Sequence, residues 1–256
     1  MSTPAAIDGD CRFRLAVVAL ARYFAMMTDW PAAVIFDFDG VLVNSEPLHF
    51  QAFRDVLALE EIALSEEEYY GELIGFDDKG AFRHVFEKRN LELKPKVYLA
   101  LMARKSHAMM ELIYRQQFSP LPGAEEFVRT LWRRCPLAIC SGALRDEIEA
   151  MLEGVKLRDC FPIITAAEDV AVGKPDPSGY LQTMKLIGEK NDRKLEPKDC
   201  LIVEDAPAVI KSVRKVGFPV LAVATSYPLD KLGEANWRVK TLELENVRQA
   251  AGKLIL

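Results

Sequence analysis

Asp37 and Asp39 stand one residue apart at the end of the apolar run Val34-Ile35-Phe36, and Gly40 follows them. Carboxylates this close repel unless a cation lies between them or one keeps its proton. Either arrangement suits phosphoryl transfer: one carboxylate attacks phosphorus, its neighbour handles the proton, and a divalent metal neutralises phosphate charge. Three more polar groups follow short apolar runs. Ser141-Gly142 comes after Leu137-Ala138-Ile139-Cys140, and Glu204-Asp205 after Leu201-Ile202-Val203. Gly173-Lys174-Pro175-Asp176-Pro177 forms a tight loop after Ala166-Ala167-Glu168. If the runs are neighbouring strands, these groups converge. Carboxylates then bind a metal, while a lysine, a hydroxyl and helix-start amides hold a phosphate.

Taken singly, each group has a plain structural explanation. Asp-x-Asp-Gly suits a solvated turn, Ser141 a helix cap and Lys174 an exposed loop. Glu204-Asp205 suits the first turn of a helix, where the dipole favours acids. Four such groups in this order, each after an apolar run, make the joint reading the better one.

The elements that must position them read as follows. A strand ends at Asp37, and a helix-rich block runs from about 47 to 118. Leu48, Phe50, Phe53, Leu57 and Leu59 give it a helical apolar pattern. Ser65-Glu66-Glu67-Glu68 reads as a helix start, Asp77 or Asp78 begins the next helix, and a third runs from about Pro95 to Phe118. Its Tyr98, Leu101, Met102 and Met109 read as the core of a bundle. After Pro120-Leu121-Pro122-Gly123 the chain alternates helix and strand, which predicts a parallel sheet covered by helices on both faces. A helical insertion at the carboxyl end of the first strand is well placed to cover a site there.

The 256 residues suffice for a core with a smaller second domain. A net charge of −5, with no Lys/Arg cluster, gives no footprint for nucleic acid. No apolar run is long enough to span a bilayer. The five cysteines include no CxxC pair, which argues for a reducing, cytoplasmic setting and against structural zinc. Cys140 and Cys200 lie in apolar runs and read as small packed hydrophobes. Leu15–Ala21, after Arg12 and Arg14, superficially resembles a signal peptide, but Asp8, Asp10 and Arg22 interrupt the pattern. With Met26 and Met27 just ahead of the first strand, residues 1–25 read as an upstream start or an added helix.

Together the four groups resemble the haloacid dehalogenase superfamily, in its branch of capped phosphatases and β-phosphoglucomutase-like enzymes. The resemblance covers about residues 32 to 240. It implies a Rossmann-like α/β core of residues 32–47 and 119–256, a helical cap domain of 48–118, and an extension of 1–31. By that resemblance Asp37 is the nucleophile that becomes an aspartyl-phosphate, and Asp39 the general acid/base. Ser141 and the Gly142 amide bind phosphate, and Lys174 neutralises the nucleophile and phosphate. Asp205 binds Mg2+ with Asp37 and the Asp39 carbonyl, and Glu204 is a direct or water-mediated partner. Asp39 favours phosphate esters, because the phosphonate-cleaving branch lacks an acid there. His49, ten residues on, is a candidate to orient Asp39, and Gly75 to contact substrate.

Two departures bear on function. Val209 replaces a customary glycine in Glu204-Asp205-Ala206-Pro207-Ala208-Val209, implying different packing but no loss of metal binding. In Leu73-Ile74-Gly75-Phe76-Asp77-Asp78, two acids occupy the stretch where mutases of this branch tend to carry an arginine. Acids repel a sugar bisphosphate. Lys79 and Arg83 read as a solvated helix face. The expected protein is therefore a Mg2+-dependent phosphatase of a small phosphorylated metabolite such as a sugar phosphate. It is expected to act as a monomer. The alternatives are a phosphosugar mutase and a non-catalytic binding protein on the same fold; the intact Asp37, Asp39, Lys174 and Asp205 argue against the last.

Overall fold

The structure, a computed structural model, describes residues 30–74 and 76–252. The expected start or added helix at 1–25 and the candidate residue Gly75 lie outside the described residues.

Six parallel strands form the main sheet, in the order β5-β4-β1-β6-β7-β8. They are β1 (Ala33–Phe36), β4 (Leu137–Cys140), β5 (Ile163–Thr165), β6 (Cys200–Glu204), β7 (Val220–Val223) and β8 (Trp237–Val239). The first strand lies between β4 and β6, where the chain reverses its direction of winding. In open α/β sheets such a reversal opens a crevice outside the carboxyl ends of the strands. Phe36 pairs with Ile139 on one side and Val203 on the other, which sets Asp37 level with Cys140 and Glu204. The sheet thus brings three of the four polar groups to one end through its register alone.

Val34 and Phe36 pack into one apolar cluster, whereas Ala33 and Ile35 pack into another. All four are fully buried, as required of a strand covered on both faces. Helices α4 (Ala124–Trp132), α5 (Arg145–Gly154) and α8 (Leu244–Ala251) supply the first cluster. Helices α6 (Ser178–Lys190) and α7 (Pro207–Lys215) supply the second. Cys140 and Cys200 are buried members of the second cluster, in line with their apolar surroundings in sequence.

Between β1 and α4 lie α1 (Glu46–Ala58), α2 (Asp78–Lys88) and α3 (Pro95–Tyr114). They form a third cluster of their own around Phe53, Leu57, Tyr69, Phe82 and Leu101. The caps are those expected: Ser65 accepts a hydrogen bond from the Glu68 amide at 3.1 Å, and Asp77 from the Gly80 amide at 2.7 Å. Tyr69–Leu73 adds a short π-helix that leads into the Leu73-Ile74 stretch. The expected helix to Phe118 stops at Tyr114. Gln116 takes a positive φ of 51°, and Ser119–Pro120 (β3) pairs antiparallel with Val43–Asn44 (β2). This ribbon joins the two ends of the helical block at the sheet. Leu59, expected on the apolar face, is exposed because α1 has already ended. No helix among the described residues is long and apolar enough to cross a membrane.

Candidate active site

Asp37 continues β1 by donating its amide to the Val203 carbonyl at 2.9 Å. Its carboxylate Oδ1 accepts from the Phe38 amide at 2.7 Å and faces Lys174 Nζ at 2.6 Å. Lys174 reaches back from its loop to Glu204 Oε1 as well, at 2.9 Å, and its ammonium sits 5.1 Å above the Tyr180 ring. The Tyr180 hydroxyl donates to the same Glu204 oxygen at 3.2 Å. Glu204 Oε2 accepts from the amides of Asp205 and Ala206, each at 2.6 Å. Asp205 accepts a hydrogen bond from Ser226.

Carboxylate oxygens of Asp37, Glu204 and Asp205 lie within 4.8 Å of one another. Three hard oxygen donors on buried acids suit a divalent cation such as Mg2+. Their electrostatics call for one. Burial pushes the Asp37 carboxyl well above its usual range despite the pull of Lys174. Burial, then Glu204, pushes Asp205 up to about 7. Burial alone works against the Lys174 charge, but Asp37 and Glu204 outweigh it and hold the ammonium above its ordinary range.

The Asp39 side chain turns elsewhere. It accepts hydrogen bonds from Ser45 and, at 3.4 Å, from Ser141. His49 Nε2 is 4.0 Å from Asp39 Oδ1. Burial raises the Asp39 carboxyl, partly offset by Ser45. Ser141 is not a helix cap: α5 starts four residues later, and its hydroxyl accepts from the Ala143 amide at 3.0 Å. Gly142 is exposed and lines the same cavity as these residues. The backbone makes room in one place above all. Gly40 has a φ of 72°, and a Cβ there would lie 2.2 Å from Asp205 Oδ2.

The structure therefore brings Asp37, Asp39, Ser141, Gly142, Lys174, Glu204, Asp205 and His49 to one cavity of about 590 Å³. Of the nine residues singled out in sequence, only Gly75 falls outside the description. Val209 is buried against the second apolar cluster and lines the cavity, so the lost glycine is a matter of packing. Asp77 caps α2, and Asp78 meets Lys105 at 2.8 Å. Arg83 is exposed, with its guanidinium over Tyr98.

Sequence reasoning missed Lys105, Glu147, Ser45, Tyr180 and Ser226. Lys105 is 1% exposed, with His49 Nδ1 3.0 Å from its ammonium. Burial, then Lys105, lowers His49 well below the usual imidazole range, so the ring is a neutral partner for the ammonium. A lysine among the apolar positions of α3 was the available signal. Ser45 follows the Asp-x-Asp-Gly run closely enough to have been noticed. Nothing local marks Tyr180, in the first turn of α6, or Ser226, just past β7.

The family described as haloacid dehalogenase-like hydrolase matches residues 34–223. Protein CbbY of Rhodobacter capsulatus is 30% identical over 219 residues, covering 82% of this chain and 93% of the relative. Fructose-1-phosphate phosphatase YqaB of Escherichia coli is 28% identical, covering 75% of this chain and 96% of that protein. Among solved structures, CbbY from Rhodobacter sphaeroides in complex with phosphate aligns with a TM-score of 0.73 at 20% identity, over 88% of this chain and 99% of that one. A variant of that protein, in complex with xylulose-1,5-bisphosphate, aligns with a TM-score of 0.71 at 20% identity, over 83% of this chain and 95% of that one. At these identities the structures speak to the fold.

Proposed function

Because the chain belongs to the haloacid dehalogenase-like hydrolase family, we propose that it is a Mg2+-dependent phosphatase that hydrolyses a small phosphorylated metabolite, such as a sugar phosphate, through an aspartyl-phosphate. The observation that carries this reading is the separation of two aspartates from one strand end. Asp37 is held at 2.6 Å by Lys174 within the carboxylate trio, whereas Asp39 is turned to Ser45 and Ser141. Two acids in different environments divide into nucleophile and proton carrier.

In the first step an Asp37 oxygen attacks phosphorus and the P–O bond to the alcohol breaks. Asp39, whose carboxyl burial raises above its ordinary range, gives its proton to the departing oxygen. In the second, Asp39 takes a proton from the water that attacks the aspartyl-phosphate. Inorganic phosphate leaves and both side chains return to their starting state. Lys174 offsets charge on Asp37 and on the phosphoryl oxygens, while Ser141 and the Gly142 amide hold those oxygens. Mg2+, held by Asp37, Asp205 and the Asp39 carbonyl, with Glu204 direct or through water, would supply further neutralisation of the phosphate charge. Glu204 also fixes Lys174 and the Asp205 backbone through the bonds already described. The helical block, with Leu73 and Ile74 lining the cavity, limits water around the reacting phosphate.

The Escherichia coli relative is a fructose-1-phosphate phosphatase, which supports the sugar phosphate class. A cytoplasmic monomer is part of the proposal. The test is inorganic phosphate release from a panel of phosphorylated sugars and small metabolites, with Mg2+ and with chelator, beside Asp37→Asn. Mg2+-dependent release that disappears in the variant is the expected result. Turnover by a clean Asp37→Asn preparation would reject the covalent route.

A further inference from the structure

The phosphoryl-transfer residues occupy only part of the cavity. Its lining also includes Glu46 and His49 from α1, Asp78 from α2, Lys105 from α3 and Glu147 from α5. Helix α3 packs on α5, so this second group gathers where the helical block meets the sheet layer. Glu147 is 2% exposed, and its Oε1 is buried without a hydrogen-bond partner. Lys105 does not supply one. Its ammonium is taken by Asp78 Oδ1 at 2.8 Å, and His49 Nδ1 lies 3.0 Å from it. Glu46 is likewise engaged, accepting from the Tyr69 hydroxyl at 2.6 Å. A buried acceptor left unpaired in a ligand-sized cavity is costly and calls for a donor from outside the protein.

The charges narrow what that donor belongs to. The lysines among the described residues lining the cavity are Lys79, Lys105 and Lys174, and no arginine joins them. Lys174 serves Asp37 and Glu204, and Lys105 serves Asp78. Lys79 is exposed, in the first turn of α2 beside Asp77 and Asp78 in sequence. A second phosphate next to Glu147 would meet the carboxylates of Glu46, Asp78 and Glu147, and the lysines at this depth, Lys105 and Lys174, are already ion-paired. An uncharged, hydroxyl-bearing group meets no such repulsion and satisfies the orphaned oxygen.

We propose that Glu147, with the Lys105–Asp78 pair beside it, is the subsite for the alcohol portion of the substrate. It selects a monophosphate ester whose alcohol portion is uncharged and offers hydroxyl donors, and it rejects one carrying a second phosphate. This inference rests on the phosphatase reading. It separates the chain from the bisphosphate-bound CbbY variant that shares its fold.

The test compares kcat/KM of the full chain with Mg2+ on three esters: a hexitol monophosphate, a hexose bisphosphate, and p-nitrophenyl phosphate, which has no hydroxyl. The wild-type protein is expected to favour the hexitol monophosphate over the bisphosphate by about tenfold or more. Glu147→Ala is expected to lower kcat/KM for the hexitol monophosphate roughly ten- to hundredfold, chiefly through KM. The loss on p-nitrophenyl phosphate is expected to be smaller, so the ratio between the two esters shrinks. Equal losses on both esters, or a wild-type preference for the bisphosphate, would overturn the subsite. If Glu147→Ala does not fold, the wild-type preference between mono- and bisphosphate decides by itself. Wild-type protein that releases phosphate from none of the three overturns the phosphatase reading, and this inference with it.

Discussion

Replacing Gly40 by alanine puts a methyl group where Asp205 now stands. The new Cβ would lie 2.2 Å from Asp205 Oδ2, and 3.0 Å from both Asp205 Cγ and Ser226 Oγ. Ordinary contact begins near 3.4 Å, so the carboxylate has to retreat by more than 1 Å, away from the Ser226 hydroxyl that donates to the same oxygen. Alanine also pays for a φ of 72° with about 1–2 kcal/mol. For a chain of this size that corresponds to a melting temperature lower by about 2 to 8 °C. The larger effect falls on activity. A displacement of about 1 Å in the acid proposed to bind Mg2+ is expected to reduce turnover on the order of a hundredfold and to raise the Mg2+ concentration needed for half-maximal rate. The assay is phosphate release over a Mg2+ titration, run beside thermal melting. Gly71→Ala is the control: nothing lies within 4 Å of its added Cβ, so it is expected to be neutral or stabilising by about 0.4–1 kcal/mol. Near-wild-type turnover and Mg2+ dependence in Gly40→Ala would refute the reasoning, because Asp205 would then not need its present position.

Further tests address the charges. Asp37→Asn is expected to fold, with unchanged circular dichroism, and to lose turnover, since a neutral amide does not attack phosphorus. Glu147 is pushed up to about 7 by burial, so between its unfolded range near 4.5 and 7 the folded state holds the proton that the unfolded chain releases. Stability contributed by the protonated form is present below that window and fades as pH rises through it, by up to about 3 kcal/mol. Glu147→Gln removes this dependence, and its stability relative to wild type, from urea melts, is expected to rise from pH 5 to pH 8; a flat difference would dismiss the titration. Asp78→Ala leaves Lys105 buried with its charge unmatched and is expected to cost about 3 kcal/mol or more. Lys105→Met strands only Asp78, whose side chain is 24% exposed, and is expected to cost less; the reverse order in urea denaturation would contradict the burial argument. Finally, a hexose bisphosphate is expected not to prime isomerisation of a glucose phosphate, and conversion without phosphate release would favour the mutase.

Most of the sheet, and the polar residues at its strand ends, could be read in advance, because both depend on local pattern. Apolar runs of four or five residues, each closed by polar groups, mark strands that end in candidate site residues, and alternation with amphipathic segments marks a parallel sheet. Asp37, Asp39, Ser141, Lys174, Glu204 and Asp205 all sit at such punctuation. The end of α3 was misjudged because residues 115–118 remain compatible with helix in sequence. What stops the helix is the positive φ at Gln116 and the pairing of β3 with β2, a contact between positions far apart in the chain.

By itself, then, the sequence determined which residues stand at the strand ends and in what order they arrive, since periodicity and turn chemistry are local properties. The tertiary structure decided the rest. Strand order put β1 between β4 and β6, which turned three separate motifs into one site that Lys174 reaches from its loop. Packing of α3 against α1 and α5 buried Lys105 and left a Glu147 oxygen unpaired, though neither looks unusual along the chain. Burial and partnership are properties of the assembled layers: the same lysine or glutamate on a free helix face would be solvated and would say nothing about a substrate.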